Sequence, residues 1–151
     1  MSIYDYLPKF DYIEPNNLKG LQPGFVVAQE ERVAEGLLKN GMFENGRICK
    51  LSADGIVAVA ASDTCPVFIH YTEPLNTIYN SDKFFAVNVA NECPRLVQLI
   101  PGDEWMSTRE LTEAELMGGR IVKRTSEEKG SWYSVKTMAN GDEGHHYVFL
   151  G

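Results

Sequence analysis

The chain is 151 residues long, the size of one ordinary domain or one domain with a short extension. Hydrophobic residues make up 44% and charged residues 23%, globular usage that needs neither disulfides nor a metal to fold. Lys and Arg number 14 against 21 Asp and Glu, and the resulting net charge of −7 argues against nucleic acid as a partner, because a phosphate-binding protein usually carries a basic face. No run approaches the ~20 apolar residues of a membrane span. Met1 to Tyr6 lacks the basic start and apolar core of a signal peptide, so the chain is expected to be soluble and made in a cytoplasm. It also has no dinucleotide-binding or phosphate-loop glycine pattern.

In chain order, residues 1–24 read as an irregular arm. Tyr4, Tyr6, Phe10 and Tyr12 stand among prolines and acidic residues without a strand or helix period, and Leu21-Gln22-Pro23-Gly24 closes the segment with turn chemistry. Such an arm either straps its own domain or docks on a neighbour, for which aromatic anchors are suited. Residues 25–151 then form one β-rich domain. Phe25-Val26-Val27 begins as a strand, and Gln29 to Glu35 has the composition of a short helical turn, interrupted by Gly36 and Asn40-Gly41.

From residue 41 the pattern is β. Arg47 to Leu51 and Ile56 to Ala60 flank Ser52-Ala53-Asp54-Gly55, a local hairpin signal because glycine takes the positive φ that the turn needs. Pro66 to Thr72, Lys83 to Val89 and Arg95 to Ile100 follow as strands, rich in β-branched and aromatic residues. Pro101-Gly102-Asp103 predicts a second hairpin, joining Arg95–Ile100 to Glu104–Thr108. Thr112 with Glu115 fits a capping box for one short helix, ended by Gly118-Gly119. Strands over Ile121–Thr125, Trp132–Thr137 and His146–Leu150 complete the chain, separated by loops Ser126–Gly130 and Asn140–Gly144. The expected fold is mainly β, a small barrel or sandwich with one or two short helices and an irregular N-terminal arm.

No enzyme signature emerges. His70 lies in a strand among apolar neighbours, where a histidine is more often a satisfied polar residue than a catalyst. His145 and His146 are adjacent, so in a strand they face opposite ways and do not share an ion easily. Cys49, Cys65 and Cys93 are odd in number and lack a C-x-x-C spacing; they read as small core residues, and nothing in the spacing of Cys65, His70 and Cys93 recommends a metal. The acidic pairs Glu113 and Glu115, Glu127-Glu128 and Asp142-Glu143 read as solvated charge. Gly141-Asp142-Glu143-Gly144 is a fragment of a calcium loop without its regular oxygen ligands. Trp105 and Trp132 read as core plugs before ligand platforms. No catalytic residue, cofactor or metal is therefore expected.

The most informative stretch is Leu37 to Glu73. A glycine-marked approach (Asn40-Gly41), the turn Glu44-Asn45-Gly46, the strand to Leu51, the turn Asp54-Gly55 and a further strand lead to the apolar run Val67 to Thr72. This pattern resembles the small head decoration, or capsid cement, proteins of tailed bacteriophages. The resemblance covers residues 37–73. It implies a non-enzymatic virion component that binds the outer surface of an assembled shell and stabilises it. Its partner would be the major capsid protein, its state a homo-oligomer, trimer or dimer, and its location the capsid surface after synthesis in the host cytoplasm. Tyr4, Tyr6, Phe10 and Tyr12 would then be partner-binding residues of the arm, with Phe10 and Tyr12 as the leading anchors. The alternatives are a tail, connector or head-fibre component, a small ligand- or carbohydrate-binding β module using Trp105 or Trp132, and an enzyme using one of the histidines.

Overall fold

A computed structural model describes residues 11, 13–19, 26–28, 32–39, 41–72, 86–89, 94–124, 135–137 and 142–151. These residues form the strands β1 (Ile13–Asn17), β2 (Val26–Ala28), β3 (Leu38–Lys39), β4 (Met42–Glu44), β5 (Ile48–Ser52), β6 (Gly55–Ala58) and β7 (Phe68–His70). They continue with β8 (Ala86–Asn88), β9 (Arg95–Gln98), β10 (Glu104–Ser107), the one-turn helix α1 (Glu113–Leu116), β11 (Ile121–Lys123), β12 (Val135–Thr137) and β13 (Glu143–Phe149). All strand pairings are antiparallel, which suits a chain of short strands joined by tight turns.

The strands make three sheets. The first runs β1-β10-β13-β11, with β12 also on β13; the second runs β2-β9-β7-β5-β6; the third is the small set β3-β4-β8. Alternation along the second sheet sends its side chains to two different cores. Ile48, Ile69 and Val97, paired across β5, β7 and β9, face the first sheet and pack with Trp105, Ile121, Tyr147 and Phe149. Cys49, Phe68 and Leu96, one residue along, pack on the other side with Ile56, with Val33 and Leu37, and with Phe43 of the third sheet. The result is a sandwich of two large sheets with a third, smaller layer behind. Among the described residues no sheet closes on itself, so the barrel form of the expected fold is not adopted.

Local chemistry explains the turns. The β5–β6 hairpin forms where expected, with Ser52 opposite Gly55 and Gly55 at φ 106°. The Ser52 hydroxyl accepts from Asp54 N at 3.1 Å and donates to Gly55 O at 3.3 Å. A side chain at Gly55 would run into the Arg32 backbone, whose carbonyl accepts from Ile56 N at 2.7 Å. Between β3 and β4, Lys39 pairs with Met42 and leaves only Asn40-Gly41 between them, with Gly41 at φ 75°. Asn-Gly is the preferred pair for a two-residue hairpin. That hairpin stands where the sequence suggests only an interruption. Of the helical turn expected over Gln29 to Glu35, residues 29–31 lie outside the described residues, residues 32–34 are not helical, and a 3-10 turn stands at Glu35–Leu37.

The second expected hairpin is not one. The turn exists, with Asp103 N bonded to Ile100 O at 2.9 Å and Gly102 at φ 96°. However, β9 belongs to the second sheet and β10 to the first, so the turn carries the chain from one layer to the other. β10 finds its neighbours in β1 and β13, and the ladder runs on past the strand, where Phe149 N reaches Asp103 O at 2.9 Å and Gly102 N reaches Phe149 O at 2.8 Å.

Two further segments differ from expectation. Within the arm, residues 13–17 are strand β1 on the edge of the first sheet, with Ile13 and Leu18 in the main core and an irregularity between Glu14 and Asn17, where Pro15 lies. Proline is tolerated at such an edge because it has no amide to give a ladder. At the other end, β13 begins at Glu143, inside the expected loop 140–144. β11 and β12 lie end to end along β13: Arg124 N bonds His146 O at 2.8 Å, and Val135 opposes His145, the next residue of β13. Successive positions of β13, His146 and His145, are thus met by Arg124 and by Val135.

Candidate functional site

The densest set of polar contacts gathers where β4 passes into β5, at Glu44-Asn45-Gly46-Arg47. Gly46, at φ 94°, turns the chain tightly enough to present Glu44 and Asn45 inward, 1% and 2% exposed. One Glu44 oxygen accepts from Arg47 Nη2 at 3.0 Å and the other from Asp11 N at 2.8 Å. Asp11 in turn accepts from the Thr108 hydroxyl at 2.9 Å. Asn45 makes a reciprocal pair with the Thr72 backbone: Thr72 N donates to Oδ1 at 2.9 Å, and Nδ2 donates to Thr72 O at 3.2 Å. Gly46 N donates to His70 O at 2.8 Å, and His70 N donates to Arg47 O at 2.9 Å.

His70 is fully buried and its ring stacks on Phe43, centroids 3.8 Å apart and planes 7° from parallel. Nδ1 lies 2.8 Å from Glu44 O and Nε2 2.8 Å from Thr72 Oγ1. A carbonyl only accepts, which assigns the proton to Nδ1; Nε2 then accepts from the Thr72 hydroxyl, whose oxygen accepts from Arg95 N at 2.9 Å. Threonine, histidine and a carbonyl in a row have the connectivity of an acyl-transfer relay. The electrostatics oppose that use. Burial pulls the imidazole down to about 4, against the opposite pull of the Glu44 carbonyl, and a base so weak is poorly matched to removing a hydroxyl proton near neutrality. The chain of bonds ties β7 to the β4–β5 connection.

A second ion pair completes the cluster. Both Arg109 Nη atoms lie 2.6 Å from the Glu115 carboxylate, and Arg109 Nη2 also donates to Gly46 O at 3.2 Å. Glu115 accepts from Ile48 N and from Thr112 N, each at 3.2 Å. Burial alone would raise its pKa, but Arg109 and these amides outweigh burial and hold the carboxylate below its ordinary range. Thr112 caps α1 through the expected capping box. Glu115 is thus a buried ion-pair partner, 8% exposed, which corrects the reading of Glu113 and Glu115 as solvated charge; only Glu113 is exposed.

The other candidate residues are dispersed. His145 Nε2 lies 3.5 Å from Glu110 and His146 Nε2 lies 3.3 Å from Glu104, on opposite faces of β13 as alternation requires. Cys49 is buried; burial first and then Glu115 push its thiol upward, and Sγ lies 3.7 Å from Phe68 O. Cys65 packs against the main core, on the other side of the second sheet from His70. Among the described residues no group of three or more His, Cys, Asp or Glu side chains is arranged to hold a metal ion. Asp142 is half-buried and Glu143 exposed.

Trp105 is wholly buried against Tyr147, with ring centroids 6.1 Å apart, so it is no platform for a ligand. Tyr4, Tyr6, Phe10, Tyr12, Cys93, Glu127, Glu128 and Trp132 lie outside the described residues. In the sequence Glu44-Asn45-Gly46 reads only as a turn, and no local pattern singles out Arg109. The one available signal was Glu115 in its capping box, which reports contacts within the helix and not the arginine across from it.

Among the described residues no helix is long and apolar enough to cross a membrane. Comparison of the chain with protein-family models, with curated proteins and with solved structures finds no match.

Proposed function

We propose that this chain is a structural virion protein that binds the outer surface of a phage capsid and stabilises the shell. The reading is carried by the residue pattern over 37–73. Its supports are that the turn at Asn45-Gly46, the strand Ile48–Ser52, the turn before Gly55 and the strand Phe68–His70 all occur in the order that the pattern requires. These pieces form the middle layer of the molecule, clamped at one end by Glu44, Asn45 and His70, a build suited to a rigid cementing unit. A ligand that binds only the assembled lattice stabilises that lattice by mass action, and many repeated sites multiply the effect.

The proposed partner is the major capsid protein, engaged by a homo-oligomer of this chain. The described part of the arm is tied to its own domain: Asp11 bonds Glu44 and Thr108, Ile13 and Leu18 enter the core, and Lys19 N donates to Asp103 at 3.1 Å. The docking role therefore falls on the aromatic residues at and before this tether, Tyr4, Tyr6, Phe10 and Tyr12. A protein census of purified virus particles from the source of this chain tests the reading. The expected result is a copy number comparable with that of the main shell protein. A few copies per particle would assign the chain to the tail or connector, and absence from particles would end the virion reading. In the full chain, replacing Tyr4, Tyr6 and Phe10 by Ala should weaken shell binding while leaving the fold intact; unchanged binding removes the arm from the interface.

A further inference from the structure

Asn45-Gly46 is a chemically unstable pair placed at the centre of the polar cluster. In an Asn-Gly step the glycine amide nitrogen, with no side chain to shield it, can attack the asparagine Cγ. The N–Cγ bond forms, the Cγ–Nδ2 bond breaks, and ammonia leaves with the proton that the amide gives up. Water then opens the cyclic imide at either carbonyl, leaving aspartate or isoaspartate, with no oxidant or reductant involved.

The native structure blocks each requirement of this reaction. The attacking group, Gly46 N–H, is held on His70 O at 2.8 Å. The leaving and carbonyl atoms of Asn45 are both bonded to the Thr72 backbone, at 3.2 and 2.9 Å. At 2% exposure, Asn45 gives water no access. We infer that Asn45-Gly46 is a self-modifying site kept shut by the fold, and that its deamidation, once the cluster opens, bars the chain from refolding.

The second half follows from what the product would meet. A carboxylate at position 45 offers no donor to Thr72 O. It would leave an unbonded acceptor and a newly buried charge at a position only 2% exposed. The isoaspartyl linkage would also lengthen the backbone at a turn with no spare room, since even a Cβ on Gly46 would come within 2.5 Å of Ile13 Cγ2.

The test uses the full chain, incubated at mildly alkaline pH with and without urea and followed by peptide mass mapping. Asn40-Gly41, whose glycine is exposed, serves as the in-chain reference. Conversion at Asn45 should be more than about tenfold slower in buffer than in urea, the factor set by an opening free energy of about 1.4 kcal/mol. After urea is removed, the refolded pool should carry unmodified Asn45, and chains modified there should stay unfolded. The Asn45→Asp chain should lack the native circular dichroism. Conversion in buffer at the urea rate, equal sharing of modified chains between the two pools, or an Asn45→Asp chain with the wild-type urea midpoint would each overturn the inference.

Discussion

The apolar core between the two large sheets and the polar cluster at the β4–β5 connection stabilise the same fold in different ways. The core is built from Ile48, Ile69, Val97, Trp105, Tyr147 and Phe149, side chains that need only be large, apolar and on the right face. The cluster is built from groups with direction: Glu44 faces two donors, Asn45 reads one backbone residue with both of its atoms, and His70 lies between a carbonyl and a hydroxyl. Area burial holds the layers together without choosing their alignment, whereas the directional contacts are made at only one alignment. The cluster also joins all three sheets, since Glu44 comes from the third, His70 from the second and Ser107-Thr108-Arg109 follow from the first.

Removing one charge from the cluster should have the largest effect. Glu115→Ala leaves Arg109 without its carboxylate and Ile48 N without its acceptor, and should cost about 3–5 kcal/mol in urea unfolding. The double change Arg109→Met with Glu115→Leu should recover much of this, because no charge is then left stranded; a double variant as unstable as the single one would show that the cluster acts through more than this pair.

Acid should separate the two regions next. The folded chain holds the His70 imidazole at about 4, against 6.5 for an unperturbed histidine, so between these values the unfolded chain binds the extra proton. Stability is complete above about pH 6.5 and declines as pH falls toward 4, by about 3 kcal/mol in all at about 1.4 kcal/mol per pH unit. Urea midpoints at about pH 7 and about pH 5 should differ for the wild type and hardly at all for His70→Gln; an equal decline in both would place the sensitivity elsewhere.

The apolar region should tolerate trimming better. Ile69→Val removes one methyl from a filled site and should cost about 1 kcal/mol, with the wild-type pH dependence retained. At the surface, the Lys123–Glu110 pair is 39% and 65% exposed, and Lys123→Ala should change stability by less than about 0.5 kcal/mol. A larger loss would mean that the outer end of the first sheet depends on its charges.

The same contrast explains what could be read from the chain in advance. Runs of β-branched and aromatic residues bounded by turn residues located most strands, and Thr112 with Glu115 located the helix, because those signals are local. Asn40-Gly41 was equally local, but the helix-favouring composition of Gln29 to Glu35 drew the segment the other way. Partner choice was not legible. Arg95–Gln98 and Glu104–Ser107 flank a tight turn as the arms of a hairpin would, and nothing in either run says that they pair with β7 and β13 instead of each other. Nor could the spacing of Arg109 and Glu115 reveal that both would lie against Gly46 and Ile48, more than 60 residues earlier in the chain.

By itself, the sequence determined a β-rich chain, most of its tight turns and its capped helix, since each depends on residues within a few positions of one another. Only the tertiary structure decided that the second sheet is buried on both sides and that residues 13–17 pair at an edge. It alone decided that Glu44, Asn45, His70 and Glu115 meet in one polar cluster. Those outcomes rest on contacts between distant segments, where one buried acceptor or charge admits a single arrangement and leaves no period in the chain to announce it.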